Sequence, residues 1–200
     1  MYLNTLSQTA ENILVFLLNN LGEEYSIREI AKAVGQDYKI VFTTVQHLKT
    51  ERLVDVKRVS NINRCCAYMS KENATIFAYV SERQAVKALP KRIFNALREV
   101  VQGIANPFYA LFVFGSYAKG TARPISDVDI LAIVPEKNQE AAILAIIKKS
   151  ATLNNLTVNP IILTLTEFQA GLKELSVSKE AYEKHLIIYG GESFYNLISP

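Results

Sequence analysis

Gly115-Ser-Tyr-Ala-Lys-Gly-Thr-Ala-Arg-Pro-Ile-Ser-Asp-Val-Asp129 lies between two apolar runs, Ala110–Phe114 and Ile130–Val134. Both runs have the length and side-chain content of buried strands. Six residues of the intervening segment form a set: Gly115, Ser116, Gly120, Ser126, Asp127 and Asp129. At ordinary residue frequencies that set, at fixed spacing, arises by chance about once in 10⁵ chains of this length. Gly115 lets the backbone come close to a ligand, and Ser116 opens a short helix whose free amides favour phosphate. Gly120 lets the chain leave that turn. Asp127 and Asp129, two apart on a strand, point both carboxylates to one face. Paired acids beside a phosphate cradle suit Mg²⁺, which binds through one or two carboxylates plus substrate phosphates. Ions held this way polarise a phosphoryl group and orient an attacking hydroxyl. Turn formation explains one aspartate, not the whole set. Lys119 and Arg123 are either phosphate-neutralising cations or solvated loop residues.

This segment resembles the polymerase-beta-type nucleotidyltransferase family, in particular its minimal stand-alone members. The resemblance covers about residues 106–200, which implies a small mixed sheet flanked by helices. It implies a nucleoside triphosphate on Gly115 and Ser116, with Lys119, Gly120 and Ser126 as further nucleotide contacts. Asp127 and Asp129 are then the catalytic ligands of two Mg²⁺ ions, Mn²⁺ being an alternative. The reaction implied is transfer of a nucleoside monophosphate to a hydroxyl with release of pyrophosphate. The family usually adds a third acid on a later strand. That strand is expected at Leu156–Thr164, where Asn159 occupies the slot and no Asp or Glu is present. An amide ligates a metal through oxygen but supplies neither charge nor base. Glu167, eight residues on, reads as a capping acid at a helix start after Thr166. His185 reads as packed at a helix end, with no partner nearby in sequence.

Upstream, Leu6, Ile13, Leu14, Phe16, Leu17 and Leu21 follow helical spacing, with Gly22 as the breaker. Ser26 caps a helix through Val34, with Glu29 as the capping-box acid, and Asp37 caps another reaching Thr50. Val41, Val45 and Leu48 give that last helix one buried stripe. Arg52–Val59 and Arg64–Met69 read as strands around a Ser60–Asn63 turn. Ser26-Ile-Arg-Glu-Ile-Ala-Lys-Ala-Val34, with Ile40–Val54 after it, resembles the winged helix-turn-helix family. The resemblance covers roughly Leu6–Ser70, with Arg52 where that family often has Gly. It implies DNA binding: Lys39, Ile40, Phe42, Thr43, Gln46 and His47 face outward, and a recognition helix puts such residues in the major groove. Lys57, Arg58 and Arg64 on the wing are the matching phosphate contacts. Lys49, Arg52 and Lys71 share that region, and Glu51, Asp55 and Glu72 offset half of its charge. The competing reading is a solvated face of a protein-interaction domain.

The fold class expected is therefore α+β, with a winged helix-turn-helix unit over 1–80, a helical connector over 81–105 and a nucleotidyltransferase-like unit over 106–200. The connector, restarted at Pro90, carries Arg83, Lys87, Lys91, Arg92 and Arg98. It fits a rigid link, a dimerisation helix or added phosphate contact. With 200 residues, 50% hydrophobic and net charge +3, the chain has material for a core and is not a disordered composition. The longest apolar runs, Ile13–Leu18 and Ala141–Ile147, are far short of the roughly 20 residues that cross a bilayer. The start, Met-Tyr-Leu-Asn, lacks a basic region feeding an apolar stretch, so a cytoplasmic protein without a secretory leader is expected. Cys65 and Cys66 are adjacent, which disfavours a disulfide and offers no metal-ligand spacing. Two alternatives to an active transferase stand beside it: a nucleotide-sensing transcriptional regulator with an impaired transferase unit, and an antitoxin-like protein pairing with a helical partner.

Overall fold

The computed structural model describes residues 6–105, 110–174 and 176–200. Residues 1–4, read for a leader, and residue 106, the expected start of the second unit, lie outside the described residues. No helix among the described residues is long and apolar enough to cross a membrane.

Helix α1 (Gln8–Leu18) is followed by a two-residue strand β1 (Tyr25–Ser26), α2 (Ile27–Val34) and α3 (Tyr38–Thr50). Ser26 and Glu29 form the reciprocal capping box that their spacing predicts, and the Asp37 side chain accepts from the Lys39 amide. Val41, Val45 and Leu48 of α3 are fully buried. At about 1.5–3 kcal/mol for each such side chain, this stripe fixes which face of α3 looks outward. Two boundaries differ from the sequence reading. Helix α1 stops at Leu18, and Gly22 (φ 87°) lies in the turn beyond it rather than at the helix end. The next strand, β2, spans Val54–Val59, because Arg52 adopts φ 57° and breaks the extended run.

Strand β3 (Ile62–Ala67) pairs antiparallel with β2 through a tight Ser60-Asn61 turn, narrower than the four residues expected. It also pairs with β1, giving a three-stranded sheet in the order β1-β3-β2. Nothing in a two-residue segment announces a strand in sequence, so β1 comes from the tertiary pairing alone. Cys65 and Cys66 are both free on β3, and burial pushes the Cys65 thiol up to about 11.

Helices α4 (Ala74–Ala88) and α5 (Lys91–Gly103) meet at Pro90, and residues 81–103 of the stretch read as a connector lie in this pair and its junction. Glu11 of α1, with a side chain only 11% exposed, pairs with Arg83 at 3.1 Å and Lys87 at 3.4 Å on α4. Helix α5 buries Ile93, Ala96, Leu97 and Val100, a helical stripe.

The second sheet has the order β6-β5-β4-β7. It comprises β4 (Ala110–Phe114), β5 (Val128–Val134), β6 (Val158–Thr164) and β7 (Leu186–Tyr189), linked by α6 (Gly115–Ala118), α7 (Glu140–Leu153), α8 (Leu165–Gly171) and α9 (Val177–Glu183). A last helix, α10 (Gly191–Ile198), packs on α4. Strand β4 runs antiparallel to β5 and β7, whereas β5 and β6 are parallel across the α7 crossover. Both faces of the central strands are covered, which explains their unbroken apolar runs. Phe112, Phe114, Leu131 and Ile133 join a core that continues into α1, α3 and α4. Leu111, Val113, Ile130 and Ala132 face the opposite core with α5 and α7. There the Ser150 hydroxyl of α7 donates to the Ala96 carbonyl of α5 at 2.9 Å. Ser81 of α4 and Tyr195 of α10 share a buried 2.6 Å hydrogen bond between hydroxyls.

Candidate functional site

The end of β5 carries the carboxylate pair. Val128, between the two aspartates, is buried in the α5–α7 core, so its neighbours project to the other face. Asp129 is half-buried and Asp127, just before the strand, is exposed. Asp129 stands opposite Phe114 on β4 and opposite Asn159 on β6. Asn159 Nδ2 donates to Asp129 Oδ1 at 3.1 Å and, at the limit of hydrogen-bonding distance, to Asp127 Oδ2 at 3.5 Å. Both carboxylates therefore converge on one point. No basic side chain among the described residues forms an ion pair with either.

Directly after β4 the chain turns at Gly115, with φ 65°, a conformation that suits glycine. A Cβ built there would overlap the Asp129 carboxylate and stand 3.0 Å from its Cγ. The turn and the strand end thus fit only because position 115 has no side chain. Ser116 is half-buried in α6, and its carbonyl accepts from the Thr121 amide at 2.9 Å. Gly120 (φ 70°) is exposed with open space around it. Ser126 is engaged by its own loop: its hydroxyl accepts from the Arg123 amide at 2.8 Å, and its amide donates to the Arg123 carbonyl at 2.9 Å. Lys119 Nζ donates to Glu180 of α9 at 2.7 Å. Of the five residues expected at a nucleotide, Lys119 and Ser126 thus have side chains engaged within the protein.

Hard oxygen donors from two convergent carboxylates fit a divalent cation such as Mg²⁺. Among the described residues no group of three or more His, Cys, Asp or Glu gathers, so this pair is the whole acidic set. As placed, Asn159 presents its NH₂ to the carboxylates, and its oxygen would face an ion only after the amide turned over.

Residues 91–188 match the family model of the nucleotidyltransferase domain. The nucleotidyltransferase match begins at the first residue of α5 and ends within β7, so α5 belongs to it and α1–α4 lie outside. None of the curated proteins matches the chain. Among solved structures, a toxin–antitoxin crystal structure with AMP-PNP is 17% identical, covering 52% of this chain and 80% of its own, with a TM-score of 0.38. A proposed nucleotidyltransferase from Sulfolobus solfataricus is 22% identical, covering 46% and 78% respectively, with a TM-score of 0.32.

Two residues near the second sheet have structural roles. The Thr164 side chain caps α8, and Glu167 completes a capping box by accepting from the Thr164 amide at 2.8 Å. The helix therefore starts two residues earlier than expected. That amide, with Lys137 beside it, holds the Glu167 carboxyl below its ordinary range. His185 is buried after α9 with Nδ1 2.9 Å from the Ala181 carbonyl oxygen, and its ring meets Phe112 and Phe194 edge-on. Burial lowers its pKa to about 4. A neutral imidazole in this setting packs and does not shuttle protons. Glu180 is the residue near the loop that the sequence reading missed: 61 positions separate it from Lys119, and no local pattern links them.

The outward face of α3 carries Lys39, Thr43 and His47 as exposed residues, with Gln46 half-buried. Thr43 spends its hydroxyl on the Lys39 carbonyl at 3.0 Å. Tyr38, Ile40 and Phe42 are exposed on the same helix, and Val59 and Ile62 on the hairpin are about half exposed, at 53% and 50%. Lys57 pairs with Asp55 at 3.5 Å and Glu24 at 3.9 Å, and Arg64 pairs with Glu29 at 3.2 Å. Arg58 is exposed and has no ion pair among the described residues.

Proposed function

We propose that the chain is a nucleotidyltransferase that moves a nucleoside monophosphate from a nucleoside triphosphate to a hydroxyl, in a Mg²⁺-dependent reaction. The observation that carries this reading is the convergence of Asp127 and Asp129, without any basic partner, beside the Gly115 turn. The nucleotidyltransferase match over 91–188 supports it independently. In this reading the acceptor oxygen forms a bond to the α-phosphorus while the bond to the pyrophosphate leaving group breaks. Asp127 and Asp129 would hold Mg²⁺, which supplies charge neutralisation and polarisation of the phosphoryl group when bound. The backbone at Gly115 and Ser116 approaches the triphosphate, with Gly120 leaving room for it. The hydroxyl proton leaves to a carboxylate or to water, since Asn159 has no basic oxygen to receive it. Pyrophosphate release from each NTP with Mg²⁺ and candidate protein or nucleic-acid acceptors tests the proposal. Release that survives Asp127→Ala unchanged would overturn it.

Asn159 favours a second reading, in which the domain binds nucleotide without turnover and serves as a sensor. Retained NTP binding with no pyrophosphate released in the presence of any acceptor selects this reading over the first.

The α1–α3 and β1–β3 unit is proposed to act as a winged helix that binds duplex DNA through α3. Exposed Lys39, His47 and Arg58, free of ion pairs among the described residues, support this. Lys39→Ala and Arg58→Ala should each weaken binding across sequences and reduce the salt slope by about one. Unchanged mobility shifts for both variants would redirect attention to Tyr38, Ile40 and Phe42 and a protein partner.

A further inference from the structure

Among the described residues, Asn159 is the side chain that touches both carboxylates of the site, and it does so from a neighbouring strand in fixed register. We infer that Asn159 is a positioning residue that holds Asp127 and Asp129 together and limits the nucleotide-free site to a single divalent cation. The inference rests on the reading that these aspartates hold the metal, and deepens it by assigning the ion count to a residue that need not touch the metal.

Two like charges that converge repel each other, and here no Lys, Arg or His offsets them among the described residues. Parallel pairing of β5 with β6 sets Asn159 opposite Asp129, and its NH₂ supplies two donors to two acceptors. The amide thereby replaces a cation as the bridge while adding no charge. One divalent ion neutralises the pair. A second, in a site where Asp129 is already half-buried, would leave an excess of two positive charges with no anion beside it. Triphosphate oxygens provide that missing negative charge, so a second ion enters only with the nucleotide. An acid at position 159 would supply one of those two missing negative charges from the protein, together with a third carboxylate ligand.

Titration of the full-length chain with Mn²⁺ in the absence of nucleotide, read by the electron paramagnetic resonance of free Mn²⁺, tests this without reference to activity. The wild type should bind one ion per chain, and Asn159→Asp should bind two. Asn159→Ala should keep one ion but bind it about 10-fold more weakly, the scale expected when a group orienting metal ligands is lost. Thermal unfolding of each variant establishes that it is folded, and Asn159→Ala carries the test should Asn159→Asp not fold. Two ions on the nucleotide-free wild type, or unchanged Mn²⁺ affinity in Asn159→Ala, would overturn the assignment of Asn159 while leaving the metal site intact. No Mn²⁺ bound by the wild type, or full binding by Asp127→Ala, overturns the metal reading itself and this inference with it.

Discussion

The Asp129 carboxylate fills the space that a side chain at position 115 would need, so Gly115 and Asp129 pack as a matched pair. The turn that follows β4 and the acid at the start of β5 are thereby held against each other. Gly115→Ala would have to move that carboxylate and also adopt φ 65° with a Cβ, a conformation costing about 1–2 kcal/mol. The variant should unfold at lower denaturant concentration and lose Mn²⁺ affinity together. Wild-type values for both in Gly115→Ala would show that the fit is not needed.

Asp129→Asn keeps the shape that Gly115 accommodates and removes one of the two charges. Its stability should stay within about 1 kcal/mol of wild type, because no ion pair is broken. Pyrophosphate release should fall on the order of 10²-fold or more, the effect of losing several kcal/mol of phosphoryl charge stabilisation. Single-turnover kinetics with saturating NTP measure the fall directly.

His185 makes the fold sensitive to acid. An unfolded histidine takes up its proton near pH 6.5, whereas folded His185 resists it until about 4. Between these values the unfolded state binds more protons, so stability drops as the pH falls. At about 1.4 kcal/mol per pH unit, the loss approaches about 3 kcal/mol. Urea unfolding at pH 7 and pH 4.5 should show this loss in wild type, and a smaller one in His185→Phe.

Glu11 ties α1 to α4 through Arg83 and Lys87, and its side chain is nearly covered while those of its partners are almost half exposed. Glu11→Ala leaves two cations that water can still solvate, so the cost should be moderate, about 1–2 kcal/mol. Chemical denaturation of Glu11→Ala, alone and combined with Arg83→Ala, gives the coupling energy. Additive effects would mean that the ion pair contributes nothing to holding these helices together.

Much of the fold is legible in local sequence. The capping box of Ser26 and Glu29, the buried stripe Val41-Val45-Leu48, the break at Pro90 and the apolar run Ala110–Phe114 each state their element, because each rests on interactions within a few residues. Boundaries that depend on backbone compromise are less legible. Arg52 takes a left-handed conformation that its side chain does not favour, and α1 ends before its glycine. Strand β1 has no pattern of its own and exists through pairing with β3.

The candidate site divides in the same way. Sequence alone determined the Gly115–Asp129 segment, the shared face of its two aspartates and the neutral residue at position 159, because spacing along a turn and strand is a local property. Tertiary structure alone decided that Asn159 reaches both carboxylates, that Lys119 is tied to Glu180, and that residues 85–100 contribute Ala85, Leu89, Ile93, Leu97 and Val100 to a core under the second sheet. The first two relations join positions 30 to 61 residues apart, and only strand register and helix packing bring such positions together.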